Sequence, residues 1–306
     1  MEKERLWFEA VGERPADLMR FLIPRMDDGA EFLRMGHTTR GFYMNAMLSY
    51  GKPPIVRLYR DEKGFVKGAF CISTDNYVAR LKASFGVVTE REMRLILDEI
   101  TRIAEAEGFV DALKIYSFRG LERFCSFLGD QGFQEGEEED VLMNMSLEGE
   151  LLEVEAPLGF AVRAHDPSNE NEADARGKAQ SSGFCGQKVD TLNEEGKRAS
   201  DLMAEWCMRT SSRDALSING EGKVGSVAGV DLDPFSGIGE FEPVATAHEF
   251  KRQGHAKAVL AEGLREMKRA GMTQAYVRTL VSNVAAIKAY ESVGFQVVDK
   301  AYLFSR

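Results

Sequence analysis

Near the start of the chain, apolar residues recur at helical spacing. Leu18, Phe21, Leu22, Phe32, Leu33, Phe42 and Met47 mark this pattern, so residues 1–50 read as mostly helical. Lys52-Pro53-Pro54 closes the region, because proline is excluded from a helix interior. The pattern then shortens to runs of strand length at 55–59, 65–73 and 77–88, the first two joined by the turn Asp61-Glu62-Lys63-Gly64. Thr89 opens a helix: with Glu92 it makes the T-x-x-E of a capping box, and Gly108 stops the helix. Residues 113–118 are strand-like, 121–128 form a short helix ended by Gly132-Phe133, and 141–147 close as a strand. The acidic run 135–140 reads as a solvated turn and not a metal site, since consecutive carboxylates on a strand point to opposite faces.

The second half repeats that order. A strand at 160–163 leads to helices around 170–181 and 194–208. A hairpin follows, 215–219 and 223–231, turning through Gly220-Glu221-Gly222. Strand 239–246, helix 254–270, strand 275–280 and helix 284–293 lead to Gly294-Phe295 and the final strands. The Gly-Phe pairs at 132–133 and 294–295 lie 162 residues apart (294 − 132). The pattern predicts an α+β chain with mixed sheets, built as a tandem duplication.

Length agrees, since 306 residues suit two domains of about 150 each, here 1–150 and 151–306. Composition sets the class: 44% hydrophobic and 29% charged residues are those of a globular chain. A net charge of −10 argues against a nucleic-acid partner. No apolar run approaches the roughly 18 residues that cross a bilayer, so no membrane partner is expected. The start, MEKERLWFEA, has no secretory h-region. Cys71, Cys125, Cys185 and Cys207 are widely separated, as free thiols in a reducing cytoplasm would be. His37, His165 and His248 share no metal-ligand spacing, so no metal is expected.

The chemistry concentrates between Gly239 and Gly271, where a strand passes through a basic loop into a long amphipathic helix. The loop holds Lys251, Arg252, Gln253, Gly254, His255, Ala256 and Lys257. A helix start presents N–H groups without intrahelical partners, and its dipole favours an anion. Gly254 and Ala256 remove bulk there, so a diphosphate can come close to the backbone. A lone histidine such as His255 reads as an exposed polar residue of the loop.

Lys251-Arg252-Gln253-Gly254-His255-Ala256 resembles the Q/R-x-x-G-x-G/A pyrophosphate loop of the GNAT acyltransferase superfamily, with Lys251 where the family has Arg or Gln. Further on, Asn283, Ala286, Tyr290, Gly294 and Phe295 match its N-x-x-A-x-x-x-Y-x-x-x-G-F pattern. The resemblance implies two tandem GNAT-like domains of mycothiol-synthase-like architecture. The second domain would bind acetyl-CoA as cosubstrate. The first would be degenerate and serve a structural or substrate-shaping role, since Thr89-Glu90-Arg91-Glu92 replaces the basic loop and its short helix, LERFCSFLGDQGF, holds no tyrosine.

By the same resemblance, Val244, Ala245 and Thr246 would meet the pantetheine amides, with Pro243 helping to splay the strand. Residues Lys251 to Lys257 would hold the phosphates, and Asn283 would cap the helix that aims Tyr290. Glu240 and Glu242, two apart on one strand, share a face, and one of them would be the base that takes the ammonium proton, Glu242 lying nearer the strand centre. Tyr290 would return a proton to the CoA thiolate. The implied reaction is direct transfer of an acetyl group to the amine of a small molecule in a ternary complex. The alternative is a non-catalytic acetyl-CoA-binding or scaffold protein. The segments that would form the acceptor pocket, near 166–210, carry Asp, Glu, Asn and Ser in no readable pattern; their acidity favours a cationic acceptor.

Overall fold

The computed structural model describes residues 6–10, 46–47, 53–64, 66–83, 89–234 and 237–306. They fall into two compact units: Met1–Val141 with Asp299–Arg306, and Leu142–Val298. The last eight residues of the chain thus belong with the first unit.

In the first unit, strands β1 (Trp7–Ala10), β2 (Ile55–Arg60), β3 (Val66–Ser73) and β4 (Val78–Ala83) pair antiparallel in sequence order. β5 (Lys114–Phe118) joins β4 in parallel, and Ala301–Ser305 of β12 (Gln296–Ser305) pairs antiparallel with β5. α1 (Glu90–Ala106) turns Met93, Ile96, Leu97, Ile100 and Ile103 into a core with Phe70, Ile72 and Ile115. Each such side chain contributes roughly 1.5–3 kcal/mol on burial. α2 (Glu122–Asp130) adds Phe127 and Leu128.

Two expectations change here. Within residues 1–50, Ala46 and Met47 are helical, but Trp7–Ala10 is a strand; the other apolar positions of that helical reading lie outside the described residues. Edge pairing with β2 decides this, and Phe8 packs its ring 6.3 Å from Tyr59 and 6.2 Å from Phe70. The acidic run 135–140 is not a turn but part of β6 (Gln134–Ser146). Its carboxylates find partners on neighbouring elements: Glu135 takes Arg119 at 2.9 Å, Glu138 takes Lys300 at 2.7 Å, and buried Asp140 accepts the Tyr116 hydroxyl at 2.6 Å.

In the second unit the strand order is β6, β11 (Gln274–Leu280), β10 (Ile238–Thr246), β9 (Val224–Asp233), β8 (Arg213–Asn219), β7 (Phe160–Ala164). α3 (Glu170–Cys185) and α4 (Glu194–Arg209) cover one face, with Ala179 against Leu216 and Val227, and Trp206 on Asp231. α5 (His255–Arg269) covers the other, where Gly263 lets the helix sit on Phe241: a Cβ there would stand 2.3 Å from the ring. α6 (Val284–Glu291) follows β11.

Candidate functional site

The site is built around the end of β10. Its parallel register with β11 covers Ile238–Phe241, whereas its antiparallel register with β9 resumes at Val244 and runs to Thr246. The strand thus leaves β11 after Phe241. The register with β9 also shifts between Phe241 and Val244. Glu240 faces Asp231 and Ala245 faces Val227, and Asp231 and Val227 are four apart on β9, so they share a face. Glu240 and Ala245 are five apart, so β10 carries one extra residue at Glu242-Pro243, the geometry of a β-bulge. The bulge thus begins at Glu242, two residues past Glu240. Glu240 is 7% exposed and lies opposite Asp231 on one side and Tyr276 on the other.

Past the strand, His248–Phe250 form a 3-10 turn and the chain enters the loop. Arg252 and Gly254 take positive φ, 63° and 87°, and a Cβ at Gly254 would meet nothing within 4 Å. The turn needs the left-handed conformation, and glycine there leaves open space in front of the backbone. Helical hydrogen bonding starts with the Ala258 N–H on the Gly254 carbonyl, at 3.1 Å. The N–H groups of His255, Ala256 and Lys257 thus have no helical acceptor, and the first turn of α5 has no acidic residue. The loop is held from outside: Gln253 Nε2 donates to the Glu249 carbonyl at 2.8 Å and Lys251 Nζ to the Gly183 carbonyl at 3.4 Å. Arg252 and Gly254 are exposed.

His255 corrects an expectation. It is 1% exposed, its ring edge-on to Phe160 at 4.5 Å and tilted against Phe250 at 5.2 Å, with Nδ1 2.8 Å from Ser217 Oγ. Burial pushes its pKa down. Only its backbone can meet a ligand.

Asn283 accepts the Ala286 N–H at 3.2 Å and so caps α6. That helix buries Tyr290, whose ring lies 6.1 Å from Phe295, itself 6.0 Å from Phe241. Burial raises the Tyr290 pKa, the Glu242 charge raises it further, and Arg278 opposes both. The structure thus brings Glu242 and Tyr290 within electrostatic reach. It also brings in Arg278, which the sequence reading missed; the polar alternation Gln274, Tyr276, Arg278 along β11 was the available signal.

A buried polar cluster under α3 was also missed. Arg176 and Asp214, each with its side chain 1% exposed, pair at 2.8 Å, and Cys207 Sγ lies 3.8 Å from Asp214. His165 Nδ1 stands 3.9 Å from Asp214; burial lowers the His165 pKa although that carboxylate raises it. Among the described residues, no group of three or more His, Cys, Asp or Glu could hold a metal, and no helix is long and apolar enough to cross a membrane.

These features place the chain among known folds. Residues 187–295 match the Acetyltransferase (GNAT) family, and this segment contains both motif regions. A tandem GNAT protein from the clavulanic acid biosynthesis pathway superposes with a TM-score of 0.60 at 11% identity, covering 99% of this chain and 98% of that one. A GNAT-family acetyltransferase from Colwellia psychrerythraea gives 0.60 at 13% identity over 98% and 99%. A GCN5-related N-acetyltransferase from Sphaerobacter thermophilus gives 0.52 at 14% over 98% and 95%. No curated protein matches the sequence. The chain has the fold of tandem GNAT proteins, and the family match lies within its second half.

Proposed function

We propose that the second domain, residues 151–306, binds acetyl-CoA and transfers its acetyl group to the amine of a small molecule, while residues 1–150 form a degenerate copy that shapes or supports the site. The diphosphate is held by the N–H groups at Gly254 to Lys257, with Arg252 and Lys257 adding charge. Pantetheine runs along Val244, Ala245 and Thr246, past the end of the β10 register with β11, and its amides pair with the strand's backbone.

Glu242 takes a proton from the acceptor ammonium, directly or through water. The free amine attacks the thioester carbonyl carbon, the C–S bond breaks, and the CoA thiolate takes the Tyr290 proton. The observation that carries this reading is the open helix start at Gly254, with no acidic residue in its first turn; the Glu242 charge that raises the Tyr290 pKa supports the acid–base pair. A phenol raised by burial stays protonated at neutral pH. It becomes a better acid once Glu242 is protonated, because the charge that raised it is then gone. Taking up the ammonium proton therefore prepares the acid for the leaving group.

The test is turnover against a panel of amines, beside CoA titration, for the wild type, Glu242→Gln and Tyr290→Phe. Both variants are expected to lose about a hundredfold in turnover while binding CoA within about twofold of the wild type. Full activity in both sinks the acid–base assignment. CoA binding without turnover on any amine leaves the non-catalytic acetyl-CoA-binding reading.

A further inference from the structure

We infer that His255 is the positioning residue of the diphosphate loop, acting through its buried ring and not through contact with the ligand. This rests on the acetyl-CoA reading above and adds what holds that site in shape. His255 is the first residue of α5, so its backbone sets where the unpaired N–H groups of the helix start point.

Four separate elements grip its ring. Phe160 of β7 meets it edge-on at 4.5 Å, and Phe250 of the 3-10 turn lies at 5.2 Å. The two phenylalanines also pack on one another, at 5.2 Å. Ser217 of β8 hydrogen-bonds Nδ1 at 2.8 Å, with the serine itself fully buried. Gly225 of β9 lets the ring come in: a Cβ there would sit 2.6 Å from Nδ1.

A loop that must hold an anion by backbone N–H groups needs those groups preorganised, because each mobile donor costs ordering free energy on binding. Gly254 and Arg252, with positive φ, do not hold themselves. The imidazole supplies the anchor, being apolar enough to bury against two phenyl rings and polar enough to lock its rotamer on Ser217.

The experiment compares CoA with pantetheine, the same molecule cut before the diphosphate, by calorimetry for the first and NMR titration at millimolar concentration for the second. His255→Ala is expected to weaken CoA roughly tenfold and leave pantetheine unchanged. His255→Asn, whose amide reaches the Nδ1 position, is expected to recover most of the loss. Ser217→Ala removes only the hydrogen bond and keeps the test open if His255→Ala fails to fold; it should weaken CoA about threefold, again without touching pantetheine. Unchanged CoA affinity in folded variants overturns the inference. So does equal weakening of both ligands, or an asparagine no better than alanine. A wild type that binds no CoA overturns the acetyl-CoA reading itself, a separate result.

Discussion

The two units each carry a strand leading towards a helix start, and the two starts differ in chemistry. In the first, Thr89 accepts the Glu92 N–H at 3.2 Å and Glu92 accepts the Thr89 N–H at 2.8 Å, a closed capping box with Glu90 beside it. Two backbone donors are engaged from within the chain, and two carboxylates stand where an anion would come. In the second, Gly254 has no side chain to accept the N–H groups, the first turn is free of acid, and Arg252 and Lys257 flank it. The same helix geometry is therefore closed by its own side chains in one unit and left open in the other, where the proposed function puts an anion. What separates them is three or four residues at one turn.

That comparison can be broken at its strongest point by giving the second unit what the first has. Gly254→Glu puts a carboxylate at the helix start and forces a bulky residue into φ 87°. CoA affinity is expected to fall by about a thousandfold or more, read by calorimetry. Retained binding would show that the diphosphate does not lie on this turn.

A second difference concerns acid. His165 and His255, both in the second unit, have pKa values held below the ordinary 6.5 by burial, whereas the described residues of the first unit carry no histidine. Below pH 6.5 the unfolded chain binds more protons than the folded one, so stability falls as pH drops through that value. Each histidine contributes at most about 1.4 kcal/mol per pH unit. In a Trp7→Phe background, Trp206 fluorescence follows the second unit. Its urea midpoint should drop between pH 7.5 and 5.5, and a flat midpoint would place both rings in contact with solvent.

The smallest expected effect sharpens the contrast from the other side. Thr89→Ala opens the capping box of α1 and should cost about 1 kcal/mol of stability, measured by urea unfolding. CoA affinity should not move, since the site belongs to the other unit. A change in affinity would mean that the first helix start also takes the ligand.

Much of this was legible along the chain because it depends on neighbours in sequence. The capping box needs residues three apart, and the Thr89–Glu92 pair forms as expected. The Gly254 turn needs a residue free to take positive φ, and Asn283 caps its own helix. The strand that opens after Phe241 could be expected from Pro243, but the register shift beside it could not. Alternation assigns faces only while a strand keeps its count, and one extra residue shifts the faces of everything past it.

Sequence by itself determined the repeated order of strands and helices, the basic loop and the cap of α6, because turn chemistry and hydrophobic period act over a few residues. Tertiary structure decided that 7–10 is a strand, that the acidic run 135–140 lies in β6 and that the last eight residues close the first unit. It decided that His255 is buried, that Arg176 and Asp214 are a buried pair, and that the Glu242 charge raises the Tyr290 pKa. Each of these depends on which groups a distant segment brings to the same place, and burial and electrostatic coupling exist only once that segment has arrived.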